Sequence, residues 1–150
     1  MIDIAVIGGA FAGSLHAEAI NRTTKGRVCA GVSRTPQSRS EFSARWGVPT
    51  FATVEELLDQ MPCDAISIAA PNYLHRPWVE LAASRGVSSI CEKPLAPTYS
   101  DAVAMVESCQ AAGVHLLYAE QLCFAPRYVR VKELIEDGSF GNLIQLNHWE

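Results

Sequence analysis

The 150-residue sequence has little of what marks exported, membrane or nucleic-acid-binding proteins. No apolar run reaches the roughly 18 residues that cross a bilayer, and the amino terminus shows no basic leader with a small-residue cleavage site. Twelve Lys and Arg stand against sixteen Asp and Glu, a net charge of -4, with no block of like charge to follow a nucleic-acid backbone. We therefore expect a cytoplasmic protein with a small-molecule partner and with no affinity for nucleic acid or membrane.

Cysteine and histidine are also too scattered for a disulfide framework or a metal site. The five cysteines form no C-x-x-C pair, and an odd number cannot all pair, which favours a reducing compartment. The four histidines fall on separate predicted elements, and no Ser, His and Asp arrangement indicates nucleophilic catalysis. The sequence predicts no bound metal.

Short apolar runs alternate with amphipathic segments along most of the chain. Runs typical of buried parallel strands cover residues 2–8, 27–33, 64–70, 87–92 and 114–120. Helical patterns lie between them at about 12–24, 36–46, 53–60, 75–85 and 98–112, and three of these end at Gly47, Gly86 and Gly113. This alternation predicts an α/β fold with a doubly wound parallel sheet.

The last part of the sequence has a different pattern. A helix is predicted over about 126–137, followed by an apolar strand over 142–149 that carries Leu143, Ile144, Leu146 and Trp149. Because such a strand needs a partner, we expect the chain to associate with itself through this segment as a homo-oligomer.

A glycine-rich turn follows the first predicted strand and opens the first helix. It comprises Gly8, Gly9, Ala10, Phe11, Ala12 and Gly13. In dinucleotide-binding folds the first glycine permits the turn, the last lets the helix pack closely on the sheet, and the helix start binds the diphosphate. Ala10 replaces the middle glycine, and we expect Gly9 to give the turn its freedom. The pattern predicts a cofactor-binding turn, with an ordinary strand-to-helix turn as the alternative.

The residues after the second strand predict which dinucleotide binds. Many NAD-binding folds place an acidic residue there to bind the ribose 2′-hydroxyl. Here the position reads Ser33-Arg34, and no carboxylate occurs between residues 19 and 40. A hydroxyl beside a guanidinium suits a 2′-phosphate. We predict NADP as the preferred cofactor and NAD as the alternative.

Two later motifs lie where open α/β sheets bind ligands, beyond the carboxyl ends of strands. They are "PNYLH" at 71–75 and "EKP" at 92–94. With these motifs, the glycine turn, His16 after it and "AEQLCFAPRY" at 119–128, the sequence resembles the nucleotide-binding Rossmann domain of the Gfo/Idh/MocA oxidoreductases. The resemblance extends over essentially the whole chain and rests most on "EKP".

The resemblance implies roles for individual residues. Lys93 would be the catalytic residue, beside the nicotinamide and in contact with the substrate hydroxyl or carbonyl, and the peptide before Pro94 would be cis. An ammonium there stabilises developing alkoxide charge during hydride transfer. Beyond the glycine turn, the cofactor-binding residues would be Ser33, Arg34, Ala70, Pro71, Asn72, His75, Glu92, Lys93, Pro94 and Gln121.

The resemblance also implies a domain organisation. Residues 1–120 would form the Rossmann domain, and residues 121–150 a connecting helix and the start of the C-terminal α/β substrate domain, most of which the chain lacks. The family's G-x-N-x-R-F motif reads here as Ala-Glu-Gln-Leu-Cys-Phe at 119–124, so that Cys123 supplies no charge and is expected to be buried.

Three functions are consistent with these patterns. The first is the NADP(H)-binding domain of a dehydrogenase that acts on a sugar, polyol or related alcohol and carbonyl pair. The second is a non-catalytic NAD(P)-binding or sensing module, and the third is an α/β domain of the flavodoxin or methyltransferase type, against which "PNYLH" and "EKP" argue. Since the family's acid–base histidine lies in the second domain, we expect this chain to bind cofactor without turning substrate over.

Overall fold

The computed structural model describes residues 1–8 and 11–147, in which strands alternate with helices. The strands are β1 (Ile2–Ile7), β2 (Gly26–Val32), β3 (Thr50–Phe51), β4 (Ala65–Ile68), β5 (Ser88–Glu92) and β6 (Leu116–Ala119). The helices are α1 (Phe11–Arg22), α2 (Pro36–Trp46), α3 (Val54–Gln60), α4 (His75–Ser84), α5 (Tyr99–Ala112) and α6 (Pro126–Glu136). Gly9, Ala10 and Trp149, which the sequence analysis singled out, lie outside the described residues.

The strands form a parallel sheet in the order β3-β2-β1-β4-β5-β6. From the central β1 the chain moves outward through β2 and β3, and it then returns to β4 on the other side of β1. This order is that of a Rossmann fold, and it confirms the predicted doubly wound α/β sheet. The connections that follow β1 and β4 run in opposite directions along the sheet. They leave a crevice between these two strands at the carboxyl edge of the sheet.

The core lies on both faces of the sheet. Along β1, Ala5 and Ile7 belong to one apolar cluster, whereas Ile4 and Val6 belong to another. This alternation follows from the two-residue period of a strand. Helices α3, α4 and α5 cover the first cluster with Val54, Leu57, Val79, Ala82, Met105 and Cys109. Helices α1 and α2 cover the second with Ala17, Ile20 and Phe42.

The five apolar runs predicted as strands are strands in the structure, with bounds that differ by one or two residues. Strand β3 was not predicted, because two residues are too few to show a pattern. Helices α2 and α5 end at Gly47 and Gly113, and both glycines have left-handed φ angles, of 68° and 69°. No helix among residues 1–8 and 11–147 has the length and apolar character needed to span a membrane.

Residues Glu120–Glu150 form a compact unit of their own, distinct from Met1–Ala119. Its described part contains a 3-10 turn at Gln121–Phe124, followed by α6. The predicted strand over 142–149 is wrong for residues 142–147, because this segment pairs with no strand in the part of the chain that the structure describes. Cys123 is exposed, contrary to the expected burial, since none of the described residues after 119 is buried.

Candidate functional site

Two glycines shape the turn after β1. Gly8 has a φ of 112°, which side chains disfavour, and a Cβ there would overlap the carbonyl oxygen of Ala69. A Cβ on Gly13 would overlap the carbonyl oxygen of Gly8, so that α1 packs directly on the turn. The Gly8 N–H donates to the Val32 carbonyl at 2.9 Å, and the Ala69 N–H donates to the Ile7 carbonyl at 2.8 Å. The turn is therefore held between the ends of β2 and β4.

The start of α1 is suited to an anion. The N–H groups in the first turn of a helix have no acceptor within the helix, and the helix dipole adds positive potential there. No acidic residue of α1 lies in its first turn to compensate that potential. Phe11 is exposed at this end and Ala12 is half-buried, which leaves the helix start open to a ligand such as a diphosphate.

The loop after β2 presents a cation. The guanidinium of Arg39 donates to the backbone carbonyls of Ser33, at 2.9 Å, and Arg34, at 3.0 Å. Arg39 therefore holds the loop in place. Arg34 itself is exposed, and among the described residues no carboxylate pairs with its guanidinium. Within the described part of the chain, the end of β2 thus offers an unpaired positive charge and a half-buried hydroxyl, that of Ser33.

The loop after β4 is tied down by a buried histidine. His75 is fully buried, with Nε2 2.9 Å from the Ala70 carbonyl oxygen and Nδ1 3.0 Å from the Leu95 carbonyl oxygen. Both ring nitrogens thus face the backbone. This geometry favours a role in joining the loops after β4 and β5 over the direct cofactor contact that the resemblance implied. Pro71 is exposed and Asn72 half-buried in the same loop, where a ligand can reach them.

The loop after β5 carries the predicted catalytic lysine. Lys93 is exposed, it forms no ion pair with any described residue, and its peptide bond to Pro94 is cis, as the resemblance implied. Glu92 is directed into the protein, where Oε1 lies 3.0 Å from Nε2 of His16 and Oε2 accepts the Lys93 N–H at 2.8 Å. Burial alone would raise the pKa of Glu92, but these hydrogen bonds leave that pKa below its usual value.

His16 and Ser67 form a polar pair to which the sequence analysis gave no role. Nδ1 of His16 lies 2.6 Å from Oγ of Ser67, which is fully buried in β4. His16 comes three residues after Gly13, the spacing that places two residues on one face of a helix. Two features of the sequence indicate that His16 and Ser67 could pair: this spacing, and a serine inside an apolar strand.

Four segments lie at the ends of strands: the glycine turn after β1, Ser33-Arg34 after β2, Ala70–Asn72 after β4, and residues 92–94 at the end of β5. Because the strands are parallel, these segments share the carboxyl edge of the sheet. The edge combines a glycine cradle, an open helix start and the exposed cations Arg34 and Lys93, which fits an anionic dinucleotide. Among residues 1–8 and 11–147, no cluster of three metal-ligating side chains occurs.

A comparison with family models agrees with this geometry. The model described as "Oxidoreductase family, NAD-binding Rossmann fold" matches residues 2–120. The chain belongs to the Gfo/Idh/MocA family. The resemblance found in the motifs is thus confirmed, and the chain contains the NAD-binding Rossmann domain of this oxidoreductase family.

Individual relatives support the same assignment. The chain is 38% identical over 104 residues to D-xylose 1-dehydrogenase (NADP(+)) 2 of Haloferax volcanii, a match that covers 69% of the chain and 32% of the relative. It is 28% identical over 146 residues to inositol 2-dehydrogenase of Corynebacterium glutamicum, which covers 95% of the chain and 43% of the relative. The chain spans less than half the length of these relatives.

A solved structure extends the likeness to the fold. An oxidoreductase from Agrobacterium radiobacter, in complex with NAD+, L-tartaric acid and magnesium, superposes with a TM-score of 0.90 at 28% identity. The match covers 94% of this chain and 42% of that one.

Gln121, the last predicted cofactor-binding residue, is exposed in the 3-10 turn of the second unit, and its contact with cofactor stays a prediction.

Proposed function

We propose that the chain is the NADP(H)-binding part of an oxidoreductase that transfers hydride between nicotinamide and a sugar, polyol or related alcohol or carbonyl compound. The observation that carries the cofactor preference is the exposed, unpaired guanidinium of Arg34 at the end of β2, among the described residues. A guanidinium forms charge-assisted hydrogen bonds with a phosphate and gains much less from a hydroxyl. The Haloferax relative named for NADP(+) supports this preference, whereas the Agrobacterium structure with NAD+ supports the alternative cofactor, NAD.

Each segment of the edge has a role in this proposal. The glycine turn and the start of α1 bind the diphosphate, Ser33 and Arg34 bind the 2′-phosphate, and Pro71 and Asn72 line the nicotinamide ribose. When bound, the cofactor supplies or accepts the hydride. Lys93 holds the substrate oxygen and stabilises the charge that develops on it.

The histidines of this edge bear on whether the 150-residue chain can turn substrate over by itself. Hydride transfer also requires a group that takes or gives the hydroxyl proton. Both ring nitrogens of His16 lie against Ser67 and Glu92, and the ring of His75 is fully buried with both nitrogens facing backbone carbonyls, so neither ring is accessible for this task. We propose that the 150-residue chain binds cofactor without turning substrate over. Sustained NADP+ reduction by this chain with any of a panel of sugars and polyols would contradict the proposal.

Titration of the chain with NADPH and with NADH tests the cofactor preference. NADPH should bind more tightly by about tenfold or more, and Arg34→Asp should reverse the order. Lys25→Asp is the matched control, because it makes the same charge change at the amino end of β2, where Lys25 is exposed and forms no ion pair with any described residue. Equal affinities of the unmodified chain for the two cofactors would refute the assignment of Arg34.

A further inference from the structure

A continuous line of hydrogen bonds leads from the middle of the sheet to the predicted catalytic lysine. Ser67 Oγ lies 2.6 Å from Nδ1 of His16, and Nε2 of His16 lies 3.0 Å from Oε1 of Glu92. The other carboxylate oxygen of Glu92 accepts the backbone N–H of Lys93 at 2.8 Å. The line thus joins β4, α1 and the end of β5.

One arrangement of protons satisfies every member of this line. An ionised carboxylate only accepts hydrogen bonds, so Nε2 of His16 carries the proton that Glu92 accepts. When the ring is neutral, Nδ1 is an acceptor and the hydroxyl of Ser67 donates to it. The side chains of His16 and Glu92 are 16% and 19% exposed, and Ser67 is fully buried, so that water competes little for these bonds. The ring of His16 therefore has a fixed orientation.

We propose that His16 is a positioning residue for Lys93. By holding Glu92, it holds the backbone from which the Lys93 side chain extends. Because His16 stands on α1, whose first turn is the proposed diphosphate site, it also keeps the two ends of the cofactor site at a fixed separation. The inference rests on the proposed function for its consequence in binding, but the hold on Lys93 is a property of the chain itself.

Two ligands separate positioning from a general loss of structure. NADPH reaches Lys93 in the proposed function, whereas 2′-phospho-ADP-ribose carries the same phosphates without the nicotinamide. His16→Ala should weaken NADPH binding roughly fivefold and leave the affinity for 2′-phospho-ADP-ribose unchanged. An equal loss for both ligands would overturn the proposal, because it would indicate displacement of α1 as a whole.

Three variants show whether the effect passes through Lys93. His16→Gln offers an amide donor toward Glu92 and an acceptor toward Ser67, and it should restore most of the NADPH affinity. His16→Ala combined with Lys93→Ala should bind no more weakly than Lys93→Ala alone. Additive losses in the double variant, or failure of His16→Gln to restore binding in a chain with an unchanged melting temperature, would overturn the proposal.

A measurement without cofactor distinguishes this inference from the proposed function. In the free chain, hydrogen exchange of the Lys93 amide, followed by NMR, should be severalfold faster in His16→Ala than in the unmodified chain or in His16→Gln. If the unmodified chain binds neither ligand, the proposed function fails, while the exchange rate still decides the role of His16. Unchanged exchange of the Lys93 amide in His16→Ala would refute the positioning role of His16.

Discussion

Substitution of Gly13 is the sharpest test of how the glycine turn is built. A Cβ at this position overlaps the carbonyl oxygen of Gly8, which is backbone and cannot rotate away as a side chain can. Gly13→Ala already introduces this overlap, and Gly13→Val adds two methyl groups beyond it. Either α1 or the turn must then move by on the order of 1 Å to restore van der Waals contact.

The magnitude follows from that displacement. Overpacking of this kind costs about 1–3 kcal/mol, and the upper end applies here because the obstacle is backbone. For a chain of this size a loss of about 3 kcal/mol lowers the melting temperature by about 6–12 °C. Moving the first turn of α1 by the same distance removes hydrogen bonds to a bound diphosphate, for which we expect at least a hundredfold loss of cofactor affinity.

Two measurements separate the loss of stability from the loss of affinity. Thermal unfolding first identifies a temperature at which each variant is folded, and calorimetric titration with NADPH is then done at that temperature. Gly26→Ala is the matched control: a Cβ at Gly26 in β2 meets its nearest neighbour, the Ile4 side chain, at 3.4 Å, an ordinary contact. It should bind NADPH like the unmodified chain. If folded Gly13→Val binds NADPH with unchanged affinity, the glycine turn is not the diphosphate site.

Further predictions concern thiols, acid and self-association. Burial raises the pKa of Cys29 to about 11 and that of Cys91 to about 12, whereas Cys123 is exposed. A disulfide reagent at pH 8 should therefore label Cys123 first, and rapid labelling of Cys91 in the native chain would contradict the structure. Folding lowers the pKa of Glu92, so the ionised carboxylate stabilises the fold. This stabilisation is fully present above the unfolded-state pKa of about 4.3, and it is lost as pH falls through the pKa of the folded state. The difference in unfolding free energy between the unmodified chain and Glu92→Gln should accordingly shrink in acid, and a difference that grows there would refute the bonding of Glu92. Leu143, Ile144 and Leu146 are 53%, 96% and 67% exposed, and deletion of residues 142–150 should lower the particle mass measured by light scattering if this segment mediates association. A mass lowered only by that of the deleted residues would contradict association through this segment.

The order of elements could be predicted from the sequence because apolar runs and amphipathic segments alternate so regularly. The inner strands β1, β2 and β4 bury consecutive residues and therefore both faces, as Ala65–Ile68 does, and a continuous apolar run marks that state. The same rule failed at 142–147, where an apolar segment pairs with no described strand. A local pattern shows that a segment can form a strand, but pairing depends on a neighbour elsewhere in the chain.

Placement of the candidate site could also be predicted, whereas the bonding of its side chains could not. Glycine spacing and the Arg34 position follow from the strand ends, and the structure keeps Arg34 exposed there. His75 at the start of α4 and Glu92 at the end of β5 lie at the expected edge of the sheet, yet both are directed into the protein. Their partners, Leu95 and His16, are distant in sequence, and no spacing rule connects residues across separate strands.

The hydrogen bonds of Gly8 and Ala69 have a consequence for motion. Their N–H groups donate to the Val32 and Ile7 carbonyls, and they thereby continue the ladder one residue past the strands. A loop attached to a sheet only at its ends can open while the sheet stays intact. The backbone at Gly8 and Ala69 can move only when hydrogen bonds of the sheet itself break. The part of the crevice floor formed by Gly8 and Ala69 therefore has the rigidity of the central sheet, and little entropy is lost in ordering it when a ligand binds there.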